Sequence, residues 1–218
     1  MRYDEAGLAA FVAHQLNFVV PPPDLLIYIH EAVQRTDSCL SACGGRYFSR
    51  EKMFSPYHSV QYGVFLYWLS RVMWERDGNG INAEKVYYLN RILNSVDLFY
   101  EVDLPRIWMC EHPLGSIMGR ARYSDYFFFY QGCTVGGNHG SYPRIKEYVA
   151  MFSNSKILGN AQIGSYVIIG ANAYVKDEDI PDNCIVFGES PNLTIKRKPQ
   201  QEIADIILRQ IWLTQTED

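Results

Sequence analysis

The sequence predicts an α+β chain in which helices come first and short parallel strands follow. Apolar residues over roughly the first 96 positions recur at helical spacing. From residue 97 the helix-forming residues become rare and glycines appear at intervals. Between residues 145 and 175 an aliphatic residue returns at every sixth position. A helix repeats its apolar residues about every 3.6 positions and a flat strand about every two, so neither predicts a spacing of six.

Four helices are predicted before residue 97. The apolar face of the first consists of Leu8, Phe11, Val12 and Leu16. Asp24 is expected to cap the second helix, and Ser55, followed by Pro56, to cap the third. The fourth follows the turn signal "RDGNG" and opens at Asn82. We therefore expect residues 1–96 to form a helical domain.

The six-residue period predicts a left-handed parallel β-helix over residues 97–198. Each group of six residues makes one side of a triangular prism. Its leading residue points inward and packs on the leading residues of the neighbouring coils. The leading residues are Ile145, Met151, Ile157, Ile163, Ile169 and Val175, preceded in the same register by Ile117, Tyr123, Phe129 and Val135. A chance alternation in a β-sandwich is the alternative, which six consecutive matches disfavour.

Two segments around the β-helix have their own predictions. The register breaks between Val135 and Ile145, so that "GGNHGSYPR" is expected to leave the coil as a loop, a place where solenoids carry function. After the β-helix, residues 199–218 are expected to form a short helix. Its apolar face consists of Ile203, Ile206, Ile207 and Ile211.

The aromatic run "YFFFY" at residues 126–130 predicts an interface. Alternation along a strand turns Phe127 and Phe129 inward, and Tyr126, Phe128 and Tyr130 outward. Exposed aromatic area usually marks a contact surface. We expect a contact between copies of the chain here first, and a ligand pocket second.

Composition excludes several classes of protein. The chain has 20 basic and 24 acidic residues, without the basic stripe of a nucleic-acid binder. It lacks a run of about 18 apolar residues, so we expect no membrane span, and "MRYDEAGL" is too acidic for a signal peptide. The odd number of cysteines, five, without paired spacing predicts reduced thiols in a cytoplasmic protein and no metal site.

A closer resemblance rests on the motifs "EHPLGSIMGRARY", "FFFYQGCTVGG", "YPRIKEYVAMFSNSKILGNAQIG" and "IPDNCIVFGESP". Together they resemble the hexapeptide-repeat acyltransferases, in the branch of serine O-acetyltransferases and related acetyltransferases encoded with surface-polysaccharide genes. The resemblance covers about residues 97–198 and continues more faintly in "YHSVQYGVFLYWLS". It implies a homotrimer, with active sites between subunits, that transfers acetyl from acetyl-CoA to an acceptor hydroxyl without a metal. Whether the helical part supports a higher assembly stays open.

The catalytic residues that the resemblance implies begin with the pair Glu111-His112, which matches an acidic residue followed by the family's catalytic histidine. His112 would be the general base that removes the proton of the acceptor hydroxyl. A carboxylate would hold its imidazole in one tautomer. Asp103, in "EVDLP", matches an upstream aspartate of the family, so both Asp103 and Glu111 are candidates. The alternative is an ordinary surface histidine at the end of a strand.

The acceptor site departs from the family pattern. Tyr142 stands where the family has a second active-site histidine, and Ser141 replaces the preceding arginine. Because those two family residues help to hold the carboxylate of serine, the resemblance points to a different hydroxyl acceptor here, such as a sugar. His139, in the same loop, could take the place of the missing histidine or could be solvated.

The resemblance also implies where acetyl-CoA binds. Two glycines allow the backbone to approach the thioester and to present N–H groups to it. Small residues of later coils would line the coenzyme, and a basic run after the coils suits its phosphates. These candidates are Gly136, Gly137, Ser153, Ala171, Lys196 and Lys198, the last two with Arg197 between them. A non-catalytic trimeric scaffold is the alternative from another class.

Overall fold

The structure, a computed structural model, describes residues 4–16, 24–44, 54–78 and 80–212. Within these ranges, four helices precede the strands and one follows them. They are α1 (Glu5–Gln15), α2 (Leu26–Ala42), α3 (Ser59–Asp77), α4 (Ile81–Asn94) and α5 (Gln200–Gln210). The order confirms the predicted fold class. Residues 1–3 and 213–218 of the predicted terminal parts lie outside the described residues, and the division at residues 96 and 198 stays a prediction.

Helix α3 forms the centre of the helical part and packs against α2 and α4. Its stretch from Val64 to Leu69 is entirely buried. The helix ends where the sequence predicts, because Gly78 takes the left-handed conformation, with φ 63°, that closes a helix without a Cβ penalty.

The predicted caps of two helices are wrong. α3 begins later than expected, and His58 caps it by accepting the N–H of Gln61 at its Nδ1. Ser55 instead forms the preceding turn, in which its own N–H donates to the side chain of Gln61. Asp24 has φ 52°, and no side chain caps α2. Its backbone oxygen, and not its carboxylate, accepts the N–H of Ile27.

The β-region is a parallel β-helix of about four coils whose strands form three faces. Face 1 contains β1 (Trp108–Cys110), β4 (Phe127–Phe129), β7 (Val149–Met151), β10 (Val167–Ile169), β12 (Cys184–Phe187) and β13 (Thr194–Arg197). Face 2 contains β2 (Ile117–Met118), β5 (Thr134–Gly136), β8 (Lys156–Leu158) and β11 (Tyr174–Lys176). Face 3 contains β3 (Arg122–Tyr123), β6 (Arg144–Ile145) and β9 (Gln162–Ile163). Only the pairing of β13 with β12 is antiparallel among these.

The leading residues of the repeat form the inner columns of the prism. On face 1, Phe129, Met151 and Ile169 are register partners, and all three are fully buried. One predicted leading residue is wrong: Ile117 is 45% exposed, whereas Met118 is buried and pairs with Val135. The side of the first coil from Met118 to Tyr123 is one residue shorter than the later ones, so counting back in sixes misses the register.

Corners hold left-handed backbone conformations in columns. Between faces 3 and 1 these positions are Tyr126, Tyr148 and Tyr166, with φ of 65°, 58° and 56°. Their rings stack with centroids 4.3 and 4.6 Å apart and nearly parallel planes. These stacked tyrosine rings add aromatic contacts between three successive coils.

The aromatic run at residues 126–130 is covered by the chain itself. The indole of Trp212 packs edge-on against Phe128, which is only 2% exposed, and against Tyr126. The segment after α5 reaches this position because Gly44 donates its N–H to Ile211 and Cys43 bridges to Trp212. The prediction that Phe128 presents a free surface to another copy is therefore wrong.

The excursion, residues 137–143, leaves the prism between faces 2 and 3 as predicted. Asn138 and Ser141 exchange two backbone hydrogen bonds of 2.9 Å around a tip formed by His139 and Gly140, which both have positive φ. This is the geometry of a tight two-residue hairpin turn. The carboxylate of Asp177 accepts the side-chain amide of Asn138 at 2.6 Å and so fastens the turn to a later coil.

All five cysteines are free and buried. Within the ranges given above, we find no helix with the length and apolar character that a membrane crossing requires.

Removing the indole that covers Phe128 will destabilise the fold. We expect Trp212→Ala to lower the free energy of unfolding by about 3–5 kcal/mol, because a fully buried aromatic side chain leaves a cavity. Urea denaturation measures this. Tyr88→Ala, whose side chain is 48% exposed, is the control and should change the value by less than about 1 kcal/mol. A similar small effect of Trp212→Ala would contradict the packing described.

Acid will loosen the excursion. The N–H of Asn160, which Asp177 accepts, contributes most to holding the pKa of Asp177 below its ordinary value, and the bond from Asn138 acts in the same direction. This stabilisation is complete above the unfolded-state pKa and disappears as the pH falls through the lowered folded-state pKa. We expect hydrogen-exchange protection of the amides of Asn138 and Ser141 to fall there, and Asp177→Ala to have the same effect at neutral pH.

The matched control is Asp182→Ala, since Asp182 accepts the N–H of Ser165 at a different corner. Unchanged protection of the excursion in Asp177→Ala would show that the turn does not depend on this carboxylate.

Candidate active site

His112 lies in an enlarged corner of the prism. Residues 111–116 join β1 to β2, whereas residues 130–133, 152–155 and 170–173 make the equivalent corners of later coils. The two additional residues push His112 outward, and its side chain is 67% exposed. Its φ of 49° is in the left-handed region, which residues at other corners of the prism also adopt.

The corner is anchored on both sides, so that the histidine is held in place. Pro113 is buried, the N–H of Leu114 donates to the oxygen of His112 at 2.7 Å, and the N–H of Gly115 donates to Ser95. Ser116 is buried, and its hydroxyl links Tyr130 to Cys133 in the next coil. These contacts hold the histidine in a fixed position, with its side chain exposed to solvent.

Glu111 is the carboxylate that approaches His112. Its Oε1 lies 3.9 Å from Nε2 of the imidazole, too far for a hydrogen bond. Burial, and after it the neighbouring carboxylate of Glu111, raise the pKa of Tyr130 to about 12. Tyr130 therefore stays a neutral neighbour of Glu111 at physiological pH.

The structure does not bring Asp103 to His112. Its carboxylate is 82% exposed and pairs with Arg71 at 3.1 Å, at the mouth of a separate cavity of about 360 Å³. Asp97, which the sequence analysis does not single out, contacts the enlarged corner. Its N–H donates to Ser116 and its carboxylate accepts the hydroxyl of Tyr87. The one signal for Asp97 was its place at the change from helical to strand-like sequence.

Beyond the corner that contains Gln131, the later corners of this edge carry small residues. Ser153 and Ala171 lie in the equivalent corners of later coils, joined by the bond from the N–H of Asn172 to the oxygen of Ser153. At the far end, Phe187 packs so closely on Gly170 that a Cβ there would lie 2.8 Å from the ring. Lys196 places its ammonium 5.3 Å from the centre of the Phe187 ring. The structure thus brings His112, Ser153, Ala171 and Lys196 to one edge, between faces 1 and 2.

Gly136, Gly137, His139 and Tyr142 lie on another edge, between faces 2 and 3. Gly136 ends β5 beside Leu158. The ring of Tyr142 packs over Gly137, where a Cβ would lie 2.6 Å from Cε1, so that only glycine fits. Tyr142 remains 48% exposed. Within one protomer, therefore, the predicted acceptor residues and the predicted base are on different edges of the prism.

The basic run at residues 196–198 does not act as one cluster. Lys198 pairs with Glu202 at 2.6 Å, and its N–H donates to Asn183, at the edge between faces 3 and 1. Arg197 lines a cavity of about 720 Å³ on face 3. Of the three cations, Lys196 is the one beside the edge that carries His112. In the part of the chain that the structure describes, no three His, Cys, Asp or Glu side chains converge as metal ligands.

Known relatives match about half of the chain in sequence. A serine acetyltransferase from Synechococcus elongatus is 34% identical over 106 residues, which is 46% of this chain and 43% of that protein. The chain thus spans less than half of that relative's length, and less than two thirds of the other curated relatives it matches first. No family model matches the chain.

Solved structures match nearly the whole fold. A serine acetyltransferase from Vibrio cholerae superposes with a TM-score of 0.73 at 22% identity, over 94% of this chain and 85% of that one. A serine acetyltransferase from Brucella abortus in complex with coenzyme A gives 0.67 at 20% identity, over 91% and 84%. The chain is therefore similar in sequence, over about half of its length, to hexapeptide-repeat acyltransferases of the serine acetyltransferase branch, and it has their fold.

Proposed function

We propose that the chain is an acetyl-CoA-dependent O-acetyltransferase with His112 as its general base. The observation that carries the proposal is the exposed His112 in the enlarged corner, at one end of the edge that Ser153, Ala171 and Lys196 share. The sequence similarity to serine acetyltransferases supports the reaction class, and the relative solved with coenzyme A supports the donor.

The reaction needs one base and one path for the proton. The imidazole of His112 takes the proton of the acceptor hydroxyl while the hydroxyl oxygen attacks the carbonyl carbon of the thioester. The tetrahedral intermediate then loses the sulfur, and the imidazolium returns the proton to the leaving thiolate. Of the two candidate carboxylates, Glu111 stabilises the imidazolium, because Asp103 is held by Arg71.

The donor would lie along the edge between faces 1 and 2. Successive coils are about 4.8 Å apart, so a ligand with its thioester at His112 and its arm past Ser153 and Ala171 spans several coils. Lys196, at the far end, would meet a phosphate. Lys198 is bound to Glu202 on another edge and contributes little to that site.

The active site would be shared between protomers of a homotrimer. The excursion, with Gly136 before it and Gly137, His139 and Tyr142 within it, is on a different edge from His112. A cyclic arrangement places the excursion edge of one protomer beside the His112 edge of the next. N–H groups near the paired glycines would then face the developing oxyanion.

The acceptor is proposed to differ from free serine. Ser141 and Tyr142 replace an arginine and a histidine of the family, and the exposed phenol of Tyr142 suits hydrogen bonding to a sugar. A sugar or surface-polysaccharide precursor is accordingly the acceptor that we favour, and a serine-like acceptor is the alternative. Five free cysteines support a reducing compartment, and the cytoplasm is the proposed location.

Replacing the base tests the reaction and the scaffold alternative together. We expect His112→Ala to lower kcat for acetyl transfer by about two to four orders of magnitude, since it removes general-base catalysis. Thiol release from acetyl-CoA measures this, with serine and with sugar acceptors. His30→Ala, an exposed histidine on α2 paired with Glu5, is the control and should keep the wild-type rate. Equal rates for both variants would remove His112 from the mechanism.

Mixed oligomers test the shared site. His112→Ala and Tyr142→Ala, each impaired alone, are unfolded together and refolded as a mixture. A site shared by neighbouring protomers is intact when each contributes its wild-type residue, which random assembly gives in about one site in four. We expect activity to return to roughly that fraction. Refolding each variant alone is the control, and no recovery in the mixture would mean that each protomer builds its own site.

A further inference from the structure

A cavity of about 310 Å³ opens on face 3 beside the excursion. Its wall consists of Arg120, Ala121, Arg122, Tyr142, Pro143 and Arg144, so three of the six lining residues are arginines and none is acidic. We call it the arginine pocket. Tyr142, one of the predicted acceptor residues, forms its boundary with the excursion.

Two of these arginines face each other across neighbouring strands. Arg122 on β3 and Arg144 on β6 are direct register partners, and both are exposed. Like charges at directly opposed positions of a sheet destabilise the pairing. Neither arginine is in an ion pair with a carboxylate among the residues that the structure describes. The nearest acidic residues to Arg144 on this face are Asp179 and Asp182, with which it lines the larger cavity.

The third arginine adds a partly compensated charge. Arg120 binds Glu101 at 2.8 Å and lies over the ring of Phe99. With one carboxylate against three guanidinium groups, the pocket carries an excess of two positive charges. Elsewhere on face 3 the balance differs, because Lys146 is paired with Asp182 at 3.2 Å.

We propose that the arginine pocket binds a phosphate group of the acceptor. Guanidinium groups bind phosphate oxygens in bidentate geometry, and a phosphate monoester near neutral pH carries close to the two negative charges that the pocket lacks. The phenol of Tyr142 can donate a further hydrogen bond. The inference rests on the proposed function, and it makes the acceptor a phosphorylated hydroxyl compound.

Coenzyme A also carries phosphates, but it is proposed to lie elsewhere. The edge with Ser153, Ala171 and Lys196 is between faces 1 and 2, whereas the arginine pocket is on face 3 beside the excursion. The acceptor and the coenzyme therefore have separate anion sites in each protomer, and titrations can tell them apart.

The first experiment measures binding of inorganic phosphate by isothermal titration calorimetry. We expect wild-type protein to bind phosphate, and Arg122→Gln and Arg144→Gln each to weaken binding about tenfold or more, as for a lost charge-assisted hydrogen bond. Arg106→Gln, an exposed arginine on a different part of the chain, is the control and should change affinity less than twofold. No binding by the wild type, or equal binding by all variants, overturns the proposal.

The second experiment identifies the source of the phosphate. Glucose 1-phosphate should displace inorganic phosphate from the wild type and glucose should not, while coenzyme A should bind Arg122→Gln as tightly as the wild type. Displacement by glucose, or a parallel loss of coenzyme A affinity in the variant, overturns the assignment to the acceptor. Acetyl-CoA turnover by the wild type is measured separately: its absence would contradict the proposed function, whereas the phosphate titrations would still decide what the pocket binds.

Discussion

Contact between the inner faces of successive coils is the constraint on which this structure depends. One coil has few inward side chains and cannot bury them alone, so each must lie directly above its counterpart in the next coil. Phe129, Met151 and Ile169 show the result, since register partners are buried on one another without a shift. Because the faces are fixed by stacking, insertions are accepted at the corners. Both unusual corners, the one that holds His112 and the one that forms the excursion, are candidates for function.

The repeat was readable from sequence because it depends on local identity. A period of six with bulky leading residues has few alternative explanations. The helical segments before and after the β-helix are likewise predicted by their apolar faces. The errors arose where geometry between distant residues decides. The sequence predicts that the side chain of Ile117 points inward, because nothing in the sequence shows that one side of the first coil is a residue shorter. The sequence predicts a free surface at Phe128, because a local pattern does not show that Trp212, far along the chain, packs over face 1.

The same distinction holds for the site. The pair Glu111-His112 marks the histidine but leaves open which carboxylate approaches it, and the structure places Glu111 beside it. Asp103 fails because an arginine on a helix 32 positions earlier in the chain, Arg71, binds it, a competition that spacing cannot reveal. The run at residues 196–198 separates because alternate residues of a strand face opposite ways and Lys198 begins a turn towards α5. Charge clusters in sequence become clusters in space only when the backbone bends them together.

A prism with three edges also explains why a single protomer is insufficient for the chemistry proposed. The base and the coenzyme-lining residues occupy one edge, and the glycines and Tyr142 occupy another, and the stacked interior prevents either edge from moving towards the other. A rigid scaffold can unite them only through a neighbouring copy. The position of the arginine pocket fits the same logic, because it adjoins Tyr142 and not His112. An acceptor whose phosphate is held on face 3 of one protomer would extend its hydroxyl past the excursion, towards the imidazole of the next.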